Sequence, residues 1–125
     1  MYQTIAFTLE TMPTVTEGSV NTLMGLELSC YHHQFYPYLE VKKVVWKGTV
    51  GIYKMFYVVL TDGDGDIVMD FHADTRKKFI TKILGKKKTL IPGALVHLTL
   101  YYVKTDERVT DGRRLVVKNA RVFKP

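Results

Sequence analysis

The stretch LVHLTLYYVKTDERVTDGRRLVVKNARVFK, residues 95–124, decides the fold. It contains two apolar runs, Leu95 to Val103 and Leu115 to Phe123, which are rich in Val, Leu and Tyr and are typical of β-strands. A polar loop with Asp111-Gly112 lies between them, and glycine suits such a loop because it enters positive φ without a Cβ clash. The stretch therefore predicts a β-hairpin. Since a hairpin alone is only marginally stable in water, we expect it to dock on more sheet upstream.

Length and composition predict a single domain. The chain has 125 residues, of which 46% are hydrophobic, enough for one core and too few for two ordinary domains. Cys30 is the only cysteine, so no intrachain disulfide can form and a reducing compartment is favoured. The sequence contains no apolar run of about 20 residues, the length that crosses a membrane. We therefore expect an intracellular protein without membrane partners.

The charges are distributed unevenly along the chain. Residues 1–41 contain four acidic residues and no Lys or Arg, so all 18 basic residues lie between Lys42 and Lys124, against eight acidic ones. With a formal net charge of +6 at pH 7, this asymmetry favours polyanionic partners, either nucleic acid or acidic protein segments. The alternative is that the charge serves solubility alone.

Three further strands are predicted upstream of the hairpin. They cover residues 38–47 (YLEVKKVVWK), 53–61 (YKMFYVVLT) and 67–72 (IVMDFH) and follow one another as a meander. A change of phase at Lys42-Lys43 predicts a β-bulge or strong bend in the first strand. Turns are predicted at residues 48–51, framed by glycines, and at residues 62–66.

The second strand has two distinct faces because side chains alternate along a strand. Phe56, Val58 and Leu60 share one face, which we expect to fill the core. Met55 and Tyr57 share the other face with Val59 and would then look outward.

Helical spacing occurs at two places. Asp74 to Leu84 has an apolar stripe behind a capping Asp74 and predicts a helix between strands three and four. Thr16 to Gly25 predicts a short helix, with Thr16 as its N-cap and Gly25 as its stop. Ahead of it, alternation over Thr4 to Glu10 predicts an extra edge strand.

The order of three strands, a helix and two strands is the layout of the oligonucleotide-binding (OB) barrel. We therefore expect an all-β fold with short helices: a five-stranded Greek-key OB-fold barrel with a helix between strands 3 and 4. One domain would cover residues 1–125, with the barrel over residues 16–124 and an N-terminal extension strand within residues 1–15.

Four stretches resemble the N-terminal OB domain of the large subunit of replication protein A, the eukaryotic single-stranded DNA-binding complex. They are Thr16-Glu17-Gly18, Leu39 to Val41, Tyr57 to Gly63, and Pro92 to Phe123 with its Asp111-Gly112-Arg113-Arg114. The resemblance implies a nuclear, nonenzymatic module that recruits acidic amphipathic helices of replication, repair, recombination and checkpoint proteins through a basic groove. It also implies weak single-stranded DNA binding, and contact with other subunits through the rest of a parent chain.

The resemblance assigns the groove residue by residue. Arg113 matches a groove arginine of the family motif, and Arg114 follows it. In strand two the family pattern Arg-Tyr-Arg is replaced by Met55-Phe56-Tyr57, so a thioether and a phenol stand in place of two cations. The nearby cations that could restore positive charge are Lys43, Lys47 and Lys54.

The residues also support a rival function. An exposed Tyr57 beside a lysine could stack a base while the ammonium binds a phosphate. Trp46 could stack a base at the barrel mouth, or it could be buried in the core. The protein would then be a domain that binds single-stranded DNA directly, for example in a telomere-associated paralogue. Alternatively, Met55 and Tyr57 pack under a loop or under Thr4 to Glu10, and the domain is structural.

Catalytic and metal sites are not indicated. Asp62, Asp64 and Asp66 have the spacing that begins an EF-hand, but Ile67 and Ala73 replace its glycine and bidentate acid, so a tight turn explains them better. The soft ligands Cys30, His32 and His33 lack a second cysteine pair. His72 and His97 lie in predicted strands without a nucleophile or cofactor motif. We expect no enzyme activity and no cofactor.

Overall fold

The computed structural model describes residues 13–32, 34–50, 53–71, 90–106 and 112–123. Five strands lie within them: β1 (Tyr38–Val50), β2 (Tyr53–Thr61), β3 (Asp66–Phe71), β4 (Leu95–Thr105) and β5 (Arg113–Phe123). The predicted edge strand at residues 4–10 and the predicted helix at residues 74–84 lie outside the described residues. The third strand begins one residue earlier than predicted, and His72 is not among the described residues.

The strands form a closed barrel in the order β1-β2-β3-β5-β4. Four of the pairings are antiparallel, and β3 pairs with β5 in parallel. This is the strand order of a Greek-key OB fold, so the predicted five-stranded barrel is confirmed.

A bulge in β1 allows one strand to serve both sides of the barrel. Its first residues, Tyr38 to Glu40, pair with β4, and from Glu40 onward β1 pairs with β2. The register shifts between Val41 and Lys43, where the sequence predicted a bulge or bend. The predicted turn beginning at Gly48 is wrong, because Gly48 pairs with Met55 and β1 continues to Val50. The extra length keeps β1 paired with β2 as far as Tyr53.

The core follows from alternation along each strand. Phe56, Val58 and Leu60 are at most 2% exposed, which confirms the predicted inner face of β2. They pack with buried residues from every other strand: Leu39, Val41, Ile67, Met69, Val96, Leu98, Tyr101, Val103, Leu115 and Val117. Alternation places the other side chains of these strands on the outer face of the barrel.

The short helix α1 (Ser19–Met24) covers one end of this core through Val20 and Leu23. It ends at Gly25, as predicted, but the predicted N-cap Thr16 is wrong. The N-cap is Gly18, whose φ of 71° is accessible to glycine without strain. The Thr16 hydroxyl instead accepts a hydrogen bond from the backbone N–H of Tyr38 at 2.9 Å, which ties the segment before α1 to the start of β1.

The connection from α1 to β1 packs along β4. Leu28 forms a parallel bridge with Val103, and the backbone N–H of His32 donates to the Tyr101 carbonyl at 3.2 Å. These two contacts hold the connection against β4. The connection places Tyr31 beside the outer face of β4, with its ring centroid 5.3 Å from that of Tyr102.

Candidate functional site

The outer face of β1, β2, β3 and β5 carries a row of four directly paired residues. Lys43 pairs with Val59, Val59 with Val68, and Val68 with Arg114. Because neighbouring strands lie about 4.8 Å apart, the backbones of Lys43 and Arg114 are separated by roughly 14 Å across the strands. The row therefore has a cation at each end and two valines between them.

A second row lies beside the first. It contains the pairs Val45–Tyr57 and Asp70–Val116, which alternation places on the same outer face. Val45, Tyr57 and Val68 are half-buried, whereas Lys43 is exposed. We call the outer surface of these two rows the groove; its described members are Lys43, Val45, Tyr57, Val59, Val68, Asp70, Arg114 and Val116. Its middle is apolar and its edges carry the charge.

Arg114 is held at the edge of the groove by an acid. Its guanidinium lies 2.6 Å from the Asp70 carboxylate, and the two side chains are 30% and 15% exposed. The ion pair fixes the direction of the guanidinium, but it also offsets part of the positive charge. Asp70 is a groove residue that the sequence analysis did not name, and its position beside Arg114 depends on the parallel β3–β5 pairing, which connects distant segments.

Arg113 binds a backbone carbonyl, whereas Arg114 forms an ion pair with an acid. Alternation places it on the same side as the buried Leu115, and its guanidinium donates to the Leu26 carbonyl at 2.7 Å. Arg113 therefore ties the start of β5 to the segment that follows α1. It lies outside the two rows, but it lines a small cavity of about 180 Å³ together with Val59 and Val68.

The other predicted site residues are described through their backbones alone. Trp46 pairs with Phe56, Met55 with Gly48, and Lys54 with Thr49, so all three lie in the paired part of β1 and β2. Lys47 lies in β1 at the second shift of register, between Trp46 and Gly48. Their side chains are outside the described part of the structure.

In the acidic turn after β2, the Asp62 carboxylate is engaged in hydrogen bonds with backbone N–H groups. The Asp62 carboxylate accepts from the backbone N–H groups of Asp64 and Gly65 at 2.9 and 2.8 Å, and from that of Val20 at 2.9 Å. Burial raises the pKa of Asp62, but these N–H groups outweigh it and hold the pKa below its ordinary 3.8. Within the described ranges, no group of three His, Cys, Asp or Glu residues could hold a metal ion.

Acidic side chains are concentrated around this turn. Glu40, Asp64 and Asp66 line a depression of about 740 Å³. The Lys42 ammonium lies 2.6 Å from the Asp66 carboxylate and, as a hydrogen-bond donor, lowers the pKa of Asp66. Among the described residues that line this depression, acidic side chains therefore outnumber basic ones.

Aromatic side chains and cations share the outer face of β4 and β5. The rings of Tyr31 and Tyr102 pack edge-on against each other. The Lys118 ammonium lies 5.9 Å from the centroid of the Tyr31 ring. The Arg121 guanidinium lies 5.4 Å from the Phe123 ring. None of these residues was predicted from the sequence as a site residue. Alternation along β4 and β5 could have indicated all of them except Tyr31, which comes from an irregular connection.

His97 lies on the same outer face and packs against a neighbouring ring, which is the usual role of an isolated histidine in a strand. Its ring stacks on Tyr38 at 4.0 Å with an interplanar angle of 6°. Burial and the positive charge of Arg121 lower the pKa of His97 below 6.5, so the imidazole is neutral at pH 7.

Comparison of the chain with models of protein families and with curated proteins gives no match. Among the described residues, no helix has the length and apolar character needed to cross a membrane.

Proposed function

We propose that this chain is a nonenzymatic OB-fold module, similar to the N-terminal domain of the replication protein A large subunit. It recruits acidic helical segments of replication, repair and checkpoint proteins through the groove, and it binds single-stranded DNA weakly. It acts in the nucleus as one part of a larger protein complex.

The row Lys43, Val59, Val68 and Arg114 is the observation that carries the proposal. Its two outer residues are roughly 14 Å apart, and an α-helix with its side chains is about 10–12 Å wide. A helix lying along the strands, between the two cations, can contact Val68 and Tyr57 with its apolar side, whereas Val59 is buried. Acidic residues on either flank of that helix then reach Lys43 and Arg114.

The test is a titration with a fluorescein-labelled acidic amphipathic peptide, followed by fluorescence anisotropy at several salt concentrations. Lys43→Glu should weaken binding roughly fivefold and flatten its salt dependence, because an attractive charge at the rim becomes repulsive. Val68→Ala should weaken binding without changing the salt dependence, since it removes only apolar contact.

Arg121→Glu is the matched control, because Arg121 is also exposed but lies on β5 seven residues beyond Arg114, away from the groove. It makes the same change in net charge. If Arg121→Glu weakens peptide binding as much as Lys43→Glu, the attraction is general and the groove is not the site. If the unmodified chain does not bind the peptide at low salt, the proposal is wrong.

A further inference from the structure

The strands β4 and β5 supply only positive charge. Together they contain five Lys and Arg residues and no Asp or Glu. Arg113 and Arg114 are engaged with Leu26 and Asp70, as described above. The other three cations, Lys104, Lys118 and Arg121, are exposed on the outer face.

Aromatic rings alternate with these cations. Tyr31 is 36% exposed and lies beneath Lys118, while Phe123 is half-buried and lies beneath Arg121. The Tyr102 ring packs against the Tyr31 ring in a T-shaped arrangement. We call this surface the basic strip; its members are Tyr31, Tyr102, Lys104, Lys118, Arg121 and Phe123.

The basic strip is long as well as charged. Arg121 on β5 pairs with His97 on β4. Lys104 lies seven residues beyond His97 on β4. At about 3.3 Å per residue, the strip spans roughly 23 Å. Its cations are therefore spaced along a line and are not gathered at one point.

We propose that the basic strip binds single-stranded nucleic acid. A groove that follows the backbone with cations and stacks bases on aromatic rings is the general way in which proteins bind single strands without reading their sequence. On the strip, Tyr31 and Phe123 would stack bases, and Lys118 and Arg121 would bind the adjacent phosphates. Lys104 extends the phosphate track towards the end of β4.

The composition of the strip favours a single strand over an acidic helix. A docked helix needs a line of exposed aliphatic anchors. No aliphatic side chain of β4 or β5 is exposed: Val116 is 8% exposed, and Leu100 is half-buried. The strip borders the groove, since Lys104 pairs with Arg114, but it shares no residue with it. The proposal rests on the weak single-stranded DNA binding of the proposed function, for which it gives the site, and it does not depend on peptide recruitment.

The charge of the strip is tested by fluorescence anisotropy with labelled oligo(dT) of roughly 15 nucleotides, within the site size of an OB fold. Lys118→Glu/Arg121→Glu should lower affinity by at least about tenfold. Because two phosphate contacts are lost, the slope of log affinity against log salt should become shallower by about 1.4. Circular dichroism and the thermal midpoint establish that each variant is folded.

Tyr31 tests the stacking part separately. Tyr31→Ala should weaken binding by about fivefold or more, the lower end of what one stacked base contributes, without altering the salt slope. Tyr31→Phe keeps the ring and should bind within about twofold of the unmodified chain. Equal loss in both variants would assign the effect to the hydroxyl and overturn base stacking on Tyr31.

Lys43→Glu, in the groove, is the control for charge. It should leave oligo(dT) affinity within about twofold, whereas the single variant Lys118→Glu should not. The proposal is overturned if oligo(dT) does not bind at low salt, if Lys43→Glu is as damaging as Lys118→Glu, or if poly-glutamate of equal charge competes as well as oligo(dT). Binding of oligo(dT) through the strip would stand even if the acidic peptide fails to bind the groove.

Discussion

The Asp62 carboxylate accepts a hydrogen bond from the backbone N–H of Val20 at 2.9 Å, across 42 residues of sequence. Val20 is the second residue of α1, whose own N-cap, Gly18, has no side chain that could accept this bond. The turn after β2 therefore caps the helix in place of a local residue. Gly65 in the same turn lies so close to Val20 that an added Cβ would be 3.2 Å from the Val20 side chain.

Asp62→Ala should destabilise the fold by about 1–2 kcal/mol, the usual cost of losing a helix cap. Three backbone N–H groups lose their acceptor in this variant, two in the turn and one in α1. Urea denaturation measures the change in the free energy of unfolding. Asp64→Ala is the control, because Asp64 takes part in this network only through its backbone; an equal loss in that variant would argue against the cap.

Stability should also fall in acid through Asp62 and Asp66. The pKa of each lies below 3.8 in the folded protein, so the unfolded chain binds protons first as the pH falls. The stability that these two carboxylates contribute is complete above about pH 3.8. It is lost as the pH falls through their lower pKa values in the folded protein. Asp62→Asn keeps an acceptor oxygen but cannot titrate, so its free energy of unfolding should vary less between pH 4 and pH 2. An unchanged slope would contradict this.

Much of the barrel could be predicted because its signals are local. The alternation in β2, the phase change at Lys42-Lys43 and the polar loop before β5 are each visible within about ten residues of sequence. The cap of α1 could not be predicted in this way. Thr16 is a plausible capping residue by type, but its hydroxyl binds Tyr38, and the actual acceptor comes from Asp62 in another element.

The site was harder to predict than the fold because it depends on pairing between distant strands. Arg113 and Arg114 are neighbours in sequence, yet alternation sends one to the barrel end and the other to the groove. Asp70 reaches Arg114 only through the parallel β3–β5 pairing. Tyr31 reaches the basic strip from an irregular connection that has no periodicity.

Tyr101 joins the core to the connection before β1. Its hydroxyl donates to the Phe35 carbonyl at 2.9 Å, and burial raises the pKa of Tyr101 to about 12. Tyr101→Phe should cost about 0.5–1.5 kcal/mol, the net value of one hydrogen bond. Tyr102→Phe is the control, because its ring lies on the outer face of β4.

The raised pKa of Tyr101 also predicts alkaline behaviour. The neutral phenol is favoured in the fold, so its contribution is complete below pH 10 and declines as the pH rises from 10 to about 12. Tyr101→Phe should show a smaller decline in the free energy of unfolding over that range. Tyrosinate absorbance during titration provides a second measurement, and a Tyr101 that ionises near pH 10 in the folded protein would contradict the burial effect.

Arg113→Ala should destabilise the fold by roughly 1.5–3 kcal/mol, because a charged donor is removed from the Leu26 carbonyl. Arg113→Lys should recover part of the loss. Arg121→Ala, at an exposed position on the same strand, should cost less than about 1 kcal/mol, the value of an exposed cation–π contact. Chemical denaturation compares all three, and equal effects at both positions would show that Arg113 has no anchoring role.

Asp70→Asn tests the electrostatics of the groove, on the basis of the proposed recruitment of acidic helices. The variant removes the charge that offsets Arg114 but keeps an oxygen that can accept its hydrogen bond. Affinity for the acidic peptide should rise roughly threefold, while stability falls by up to about 1 kcal/mol, since the ion pair is only partly buried. Asp64→Asn makes the same charge change in the acidic turn after β2, where salt screens its effect on the groove. If both variants raise affinity equally, net charge and not Arg114 governs binding; if neither does, Arg114 does not contact the peptide.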